Sequence, residues 1–170
     1  MQPVRFAFIA PFVLAAVLVS ALFMQAGAAT TATVAATVTA TSLSVSVSDG
    51  SIAFGSVALN TATTTVAHGE TQTATNGGSA AVLNVKSGNA TGGTQWALGT
   101  SAGSDQFKLE VSTTSGATYS TFQATDTYLT ASSTFASLQN QNLDFRFTTP
   151  TASTDFIEKS LTVTVQVTSQ

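Results

Sequence analysis

His68 is the only histidine of the chain, there is no cysteine, and the carboxylates Asp49, Asp105, Asp126, Asp144 and Asp155 stand singly near turn signals. A Ser-His-Asp arrangement needs a base close to neutral pKa held by an oriented partner. His68 instead precedes Gly69 in a turn, where an exposed loop histidine is the expectation. A zinc centre takes three or four His, Cys or carboxylate ligands, and one histidine without cysteine does not supply them. Glycoside hydrolysis needs two facing carboxyl groups. Glu110 lies mid-strand between Lys108 and Ser112, and like the aspartates it reads as solvated or capping. The sequence thus points to no catalytic residue and no enzyme.

Binding chemistry is thinner still. Calcium takes several oxygen ligands, which the loops at Asp49, Asp105 and Asp155 could bring together, although no ligand spacing shows it and no cofactor is expected. Gly77-Gly78-Ser79 and Gly92-Gly93-Thr94 lack the lysine of a phosphate loop and read as turns. Trp96, Tyr119 and Tyr128 could form a sugar-stacking platform, but Trp96 alternates in phase with Leu98, which favours a core position. Asn89-Ala90-Thr91 is a glycosylation sequon in a loop, with Asn89 as the acceptor. Repeated Thr-x-Thr pairs suit an ice-binding face, yet they mark the exposed side of any threonine-rich strand.

The elements that would carry these residues begin with an export signal. Arg5, an apolar run from Phe6 to Met24 and the small-x-small triplet Ala26-Gly27-Ala28 follow in the order of a secretory signal, so residues 1–28 read as a signal helix cleaved after Ala28. The run is also long enough to span a bilayer, and an uncleaved N-terminal anchor is the alternative. Either way, the membrane is reached only through this segment, and the rest is expected outside the cell or on its surface. Residues 29–170 hold four basic and eight acidic side chains, which argues against nucleic acid as a partner. With no disulfide, stability must come from the core alone. Only 8% of residues are charged, a surface chemistry suited to proteins that associate with copies of themselves.

Directly behind the signal, Ala32, Val34, Ala36, Val38 and Ala40 alternate with threonines and one alanine. Residues 29–41 therefore form an arm that, as a strand, carries one slim apolar face and no turn signal obliging it to pair locally. From Ser42 the phase flips, and Leu43, Val45 and Val47 share the opposite parity. Asp49-Gly50 is a hairpin signal leading into two short strand pieces within Ser51 to Leu59, bent at Gly55. Further strands are expected at Glu70–Thr75, around Leu83 and Val85, at Trp96 and Leu98, and along Phe107, Leu109 and Val111, the last forming a hairpin with Ala117–Phe122. Gln123 to Gln141 reads as a short helix or wandering loop, before Leu143, Phe145 and Phe147 face in with Asp144 and Arg146 out. Leu161, Val163, Val165 and Val167 make a long closing strand. About nine short strands with regular turns predict one all-β domain over residues 42–170, an antiparallel β-sandwich of the immunoglobulin-like kind.

The alternating Thr/Val start, Ser51-Ile-Ala-Phe54-Gly55-Ser-Val57, the Asn76-Gly77-Gly78-Ser79-Ala80 turn and the terminal Leu-Thr-Val-Thr-Val resemble exported microbial surface domains, most of all the camelysin and TasA-like matrix-fibre subunits. Spore coat U and fimbrial-type subunits are similar but bring cysteines that are absent here, and Trp96-Ala97-Leu98 matches a WxL motif without its second copy. The resemblance implies a sandwich that assembles by exchange of an N-terminal strand located where Thr31 to Ala40 stands. The expected function is structural, in a surface layer, matrix or pilus-like filament; the alternative is a monomeric carbohydrate-binding module or adhesin holding surface glycans.

Overall fold

The computed structural model describes residues 31–123 and 125–170. The segment 1–28, expected from the sequence to be an export signal, lies outside the described residues. No helix among the described residues is long and apolar enough to cross a membrane. Residues 31–39, a unit of their own, carry no regular secondary structure and are exposed throughout, Val34 at 91% and Val38 at 95%.

Residues 40–170 form an all-β sandwich. Its larger sheet contains β1 (Val45–Val47), β2 (Ala62–Thr64), β3 (Gln72–Asn76), β5 (Ala97–Gly99), β6 (Gln106–Ser112), β7 (Ser120–Thr121) and β9 (Asn140–Thr148). The main order is β1-β3-β9-β6-β5, with β2 added to the second half of β9 and β7 to the end of β6. The smaller sheet is β10-β4-β8, from β4 (Ala81–Ser87), β8 (Leu129–Phe135) and β10 (Val163–Ser169). A single helical turn, α1 (Thr65–His68), follows β2. All pairs are antiparallel except β5 with β6, which run parallel.

Period-2 alternation builds the core. Phe107, Leu109 and Val111 on β6 and Leu143, Phe145 and Phe147 on β9 point inward and are buried, facing Leu83 and Val85 of β4 and Phe135 of β8. Phe147 stacks with two other aromatics, its ring 5.2 Å from that of Phe107 on neighbouring β6 and 5.4 Å from that of Phe54. Trp96 and Leu98 are buried as their phase predicts.

Three local expectations are corrected. Asp49-Gly50 makes a bend and no hairpin: β1 pairs with β3, through Val45–Asn76 and Val47–Ala74, and residues 51–59 join no sheet. Among the described residues of Gln123–Gln141 there is no helix, and Leu129–Phe135 form β8, which pairs with β4 with two register shifts between Ala81 and Asn84 and whose polar Ser132-Ser133-Thr134 leave little period to read in the sequence. Asp144 and Glu110 do not face solvent. The outer face of β9 and β6 is overlaid by residues 61–71 and by Tyr119, which leaves Asp144 1% and Glu110 3% exposed.

The expected turn at Asn76–Ser79 is present and closes a polar knot. The Asn76 carboxamide donates to the carbonyls of Ser79 and Phe135 and accepts from the Gly78 amide. The start of the sandwich is pinned here, because Ser79 N–H donates to Ser42 O at 2.7 Å and Ser42 N–H donates to Ser79 Oγ at 3.1 Å. A Cβ at Gly78 would lie 2.2 Å from that Ser42 carbonyl oxygen, so Gly78→Ala must push the incoming chain away. It is expected to lower stability by about 1–3 kcal/mol, as overpacking against backbone does. Gly88→Ala, whose Cβ meets only one methyl at 4.0 Å, is expected to be neutral, and thermal unfolding of the two variants checks the difference.

Candidate functional site

The edges of the two sheets differ in how they are guarded. β1 and β5 have three residues each, and β8 is irregular along its pairing with β4. β10 is different: seven residues, Val-Thr-Val-Gln-Val-Thr-Ser, pair with β4 in unbroken register from Val163–Ser87 to Ser169–Ala81. Its other edge has no partner strand among the described residues. It also carries no charge, proline or bulge, the devices that normally protect a free edge.

Beside this edge the sandwich is open. A groove of about 1130 Å³ runs between β10 and the larger sheet, above the ~300–1,000 Å³ typical of small-molecule pockets. Val163 and Val165 form one wall, Leu143, Phe145 and Phe147 the floor, and the irregular segment 50–59 the other wall. The incomplete closure is visible in the core itself. The inward valines of β10 are only half-buried, whereas Leu83 and Val85 on neighbouring β4 are fully buried. Phe156 and Ile157 stand on the rim and are 82% and 59% exposed.

At the rim, loops that carry two of the three aspartates proposed for calcium come together around an amine. The Lys159 ammonium is almost buried and donates to the carbonyls of Gly92 and Thr94 and to Asp155. It also lies 5.3 Å from the centre of the Trp96 ring. The hydrogen bond from Lys159, followed by that from the Thr94 amide, holds the Asp155 carboxyl well below the usual range. Asp105 is lowered first by the Thr154 backbone amide, against the effect of burial, and accepts from Ser153. Asp49 is not part of this cluster and pairs locally with Ser51. An oxygen nest shaped for a cation is thus filled by the protein's own lysine. Lys159→Met keeps the stem and removes the charge, and it is expected to cost about 1–3 kcal/mol because the carbonyls and Asp155 lose their donor. A fall of several degrees in melting temperature checks this.

The remaining candidates are dispersed. His68 ends α1, is exposed, and bonds Thr63 Oγ1 at 2.8 Å. The three aromatics of the proposed sugar platform each sit against a different cation: Trp96 on Lys159, Tyr119 on Arg146 and Tyr128 on Lys86. Trp96 is 9% exposed, with its indole N–H donating to Ser153 Oγ at 2.9 Å. Asn89 braces its loop, accepting from the Leu98 amide at 2.9 Å and from Thr125 Oγ1 at 2.8 Å, and donating to Gln95 Oε1 at 3.2 Å. Among the described residues, no three His, Cys, Asp or Glu side chains gather at metal-binding distance.

The open edge of β10 beside this groove was not legible in the sequence. Its residues were in view as ordinary core positions, and the signal that could have found it is the uncharged regularity of Val163–Ser169 at a sheet edge. Comparison of the chain with protein-family models, curated proteins and solved structures finds no match.

Proposed function

We propose that this chain is an exported structural subunit that polymerises by strand addition, the arm of one copy lying along β10 of the next. The observation that carries this reading is the seven-residue edge of β10, uncharged and without a second partner strand among the described residues, beside an apolar groove. The same chain supplies a ligand of matching character. Ala32, Val34, Ala36, Val38 and Ala40 present a slim apolar row at a spacing of two, and their segment is exposed. Ten residues from Thr31 span about 33 Å when extended, enough to cover the roughly 23 Å of a seven-residue strand. Main-chain hydrogen bonds supply affinity, and small side chains entering the groove fix register.

The chain enters the sandwich at Ser42, tied to Ser79 next to Ala81, and Ala81 pairs with Ser169. The groove opens toward the other end, by Val163 and Val165. The root of the arm and the part of the groove lined by Val163 and Val165 are therefore toward opposite ends of β10, an arrangement that suits head-to-tail growth, which is open-ended when the rotation between copies does not close. The resemblance to matrix-fibre subunits points the same way, to a filament, surface layer or extracellular matrix.

Size-exclusion chromatography and electron microscopy of residues 29–170 beside residues 42–170 test the proposal. The longer chain is expected to form filaments or large oligomers and the shorter one to remain a folded monomer. Two compact monomers would overturn it.

A further inference from the structure

Residues 51–59 behave as a strand in their side chains and not in their backbone. Ile52 and Phe54 are half-buried while Ser51, Ala53 and Gly55 are exposed, and Phe54 stacks on Phe147. At Gly55 the backbone turns to φ 65, and Val57 and Leu59 resume the half-buried alternation. Both ends of this strap are anchored. Gly50 N–H donates to Gln72 Oε1 at 2.9 Å and Gln72 Nε2 donates to Ser51 O at 2.9 Å; at the other end Thr149 Oγ1 donates to Ala58 O at 2.7 Å. Between the anchors, the backbone of Ile52 to Val57 makes no hydrogen bond with any described residue. A segment with idle N–H and C=O groups has them free for a partner strand.

The strap forms the wall of the groove that faces β10. We infer that Ser51–Val57 is a second acceptor edge: the arm of a neighbouring copy lies between the strap and β10 and hydrogen-bonds to both. This rests on the strand-addition reading and deepens it by making the arm an internal strand. A strand bonded along one side leaves the groups of its other side to water, whereas a second bonded edge pairs both. The Gln72 carboxamide and Thr149 hydroxyl hold the strap at the required place before the arm arrives.

Hydrogen exchange read by mass spectrometry tests the inference on residues 42–170, alone and with a synthetic Thr31–Ala40 peptide in excess, and on assembled residues 29–170. Amides of 52–57 are expected to exchange freely in the shorter chain and to slow by about tenfold or more when the arm is bound, together with those of β10. Protection of β10 without protection of the strap overturns the inference and leaves strand addition standing. If neither changes with the peptide and residues 29–170 do not assemble, strand addition fails and the second edge fails with it. As a further check, Ala53→Pro with Ser56→Pro removes two strap N–H groups while keeping Ile52, Phe54 and Val57. In a variant whose thermal unfolding matches the parent, peptide affinity is expected to fall roughly tenfold, the effect of one or two net hydrogen bonds. Unchanged affinity would overturn the inference.

Discussion

Val34→Asp with Val38→Asp, introduced together in residues 29–170, is expected to abolish assembly and leave the melting temperature of the sandwich unchanged. The two valines are 91% and 95% exposed in the isolated chain, so the domain loses no packing when they are replaced. In the proposed assembly both would face the apolar groove, where Phe145 and Phe147 offer no partner for a carboxylate. Burying an unpaired charge costs several kcal/mol, and two such charges weaken association by a factor of about a thousand or more. Val34→Thr with Val38→Thr, which keeps shape and adds hydroxyls, is expected to weaken assembly without removing it. Sedimentation of assembled material against protein concentration distinguishes the three chains. Wild-type assembly by the double aspartate variant would exclude the apolar face of the arm from the contact.

The second large effect concerns the outer face of the larger sheet. Glu110, with its side chain 4% exposed, accepts both guanidinium arms of Arg146, at 2.6 and 2.7 Å, and the Lys108 ammonium at 2.8 Å. Arg146 is in turn covered by the Tyr119 ring, 4.3 Å away. Burial opposes ionisation of Glu110, but the hydrogen bonds from Arg146 and Lys108 and their charges outweigh it, and the carboxyl falls from 4.5 to about 2. Because the folded-state value is depressed, the stabilisation is complete above pH 4.5 and is lost as pH falls toward 2. The drop corresponds to roughly 3 kcal/mol, reduced to about 2 by solvent around the partly exposed Arg146.

Glu110→Gln is therefore expected to be less stable than the parent by about 2–3 kcal/mol at pH 7, with the two chains converging near pH 2. Arg146→Ala leaves Glu110 buried with Lys108 alone and is expected to cost a similar amount or more. Urea unfolding at several pH values reads both. A Glu110→Gln chain that keeps the parent's full pH dependence between 4.5 and 2 would show that another group carries it.

How much of this was legible follows from where each signal resides. The inward rows Leu83/Val85, Phe107/Leu109/Val111 and Leu143/Phe145/Phe147 were plain, because period 2 is a local property and each strand kept it. The Asn76–Ser79 turn was plain for the same reason. β8 was not, since only Leu129, Ala131 and Phe135 of its seven residues are apolar, and the run Ser132-Ser133-Thr134 between them leaves too little alternation to read. Asp49-Gly50 carried a genuine turn signal, but β1 finds its partner in β3, and the local preference yields to the long-range ladder. Glu110 and Asp144 stand at outward positions of their strands and read as solvated. What buries them comes from other parts of the chain, Thr65 and Thr71 for Asp144 and Arg146 with its Tyr119 cover for Glu110, and no local pattern announces a second layer. Of the proposed assembly, the arm is the part that rests on the sequence, as an amphipathic row of small residues. The groove was not legible there, because it depends on which strand stands at a sheet edge, and only the order β10-β4-β8 shows that.

The absence of native cysteine makes the central claim directly testable by a single cross-link. Residues 29–170 carrying Ala36→Cys and Val165→Cys, together with a companion pair Ala36→Cys and Val163→Cys to cover either register, would be oxidised after assembly and run on a denaturing gel without reductant. Strand addition predicts a ladder of covalent oligomers for at least one pair, collapsing to monomer on reduction, and no ladder from the single Ala36→Cys chain. Monomers linked only within their own chain would show that the arm closes its own groove, and an absence of any arm-to-β10 link in both pairs would contradict strand addition outright.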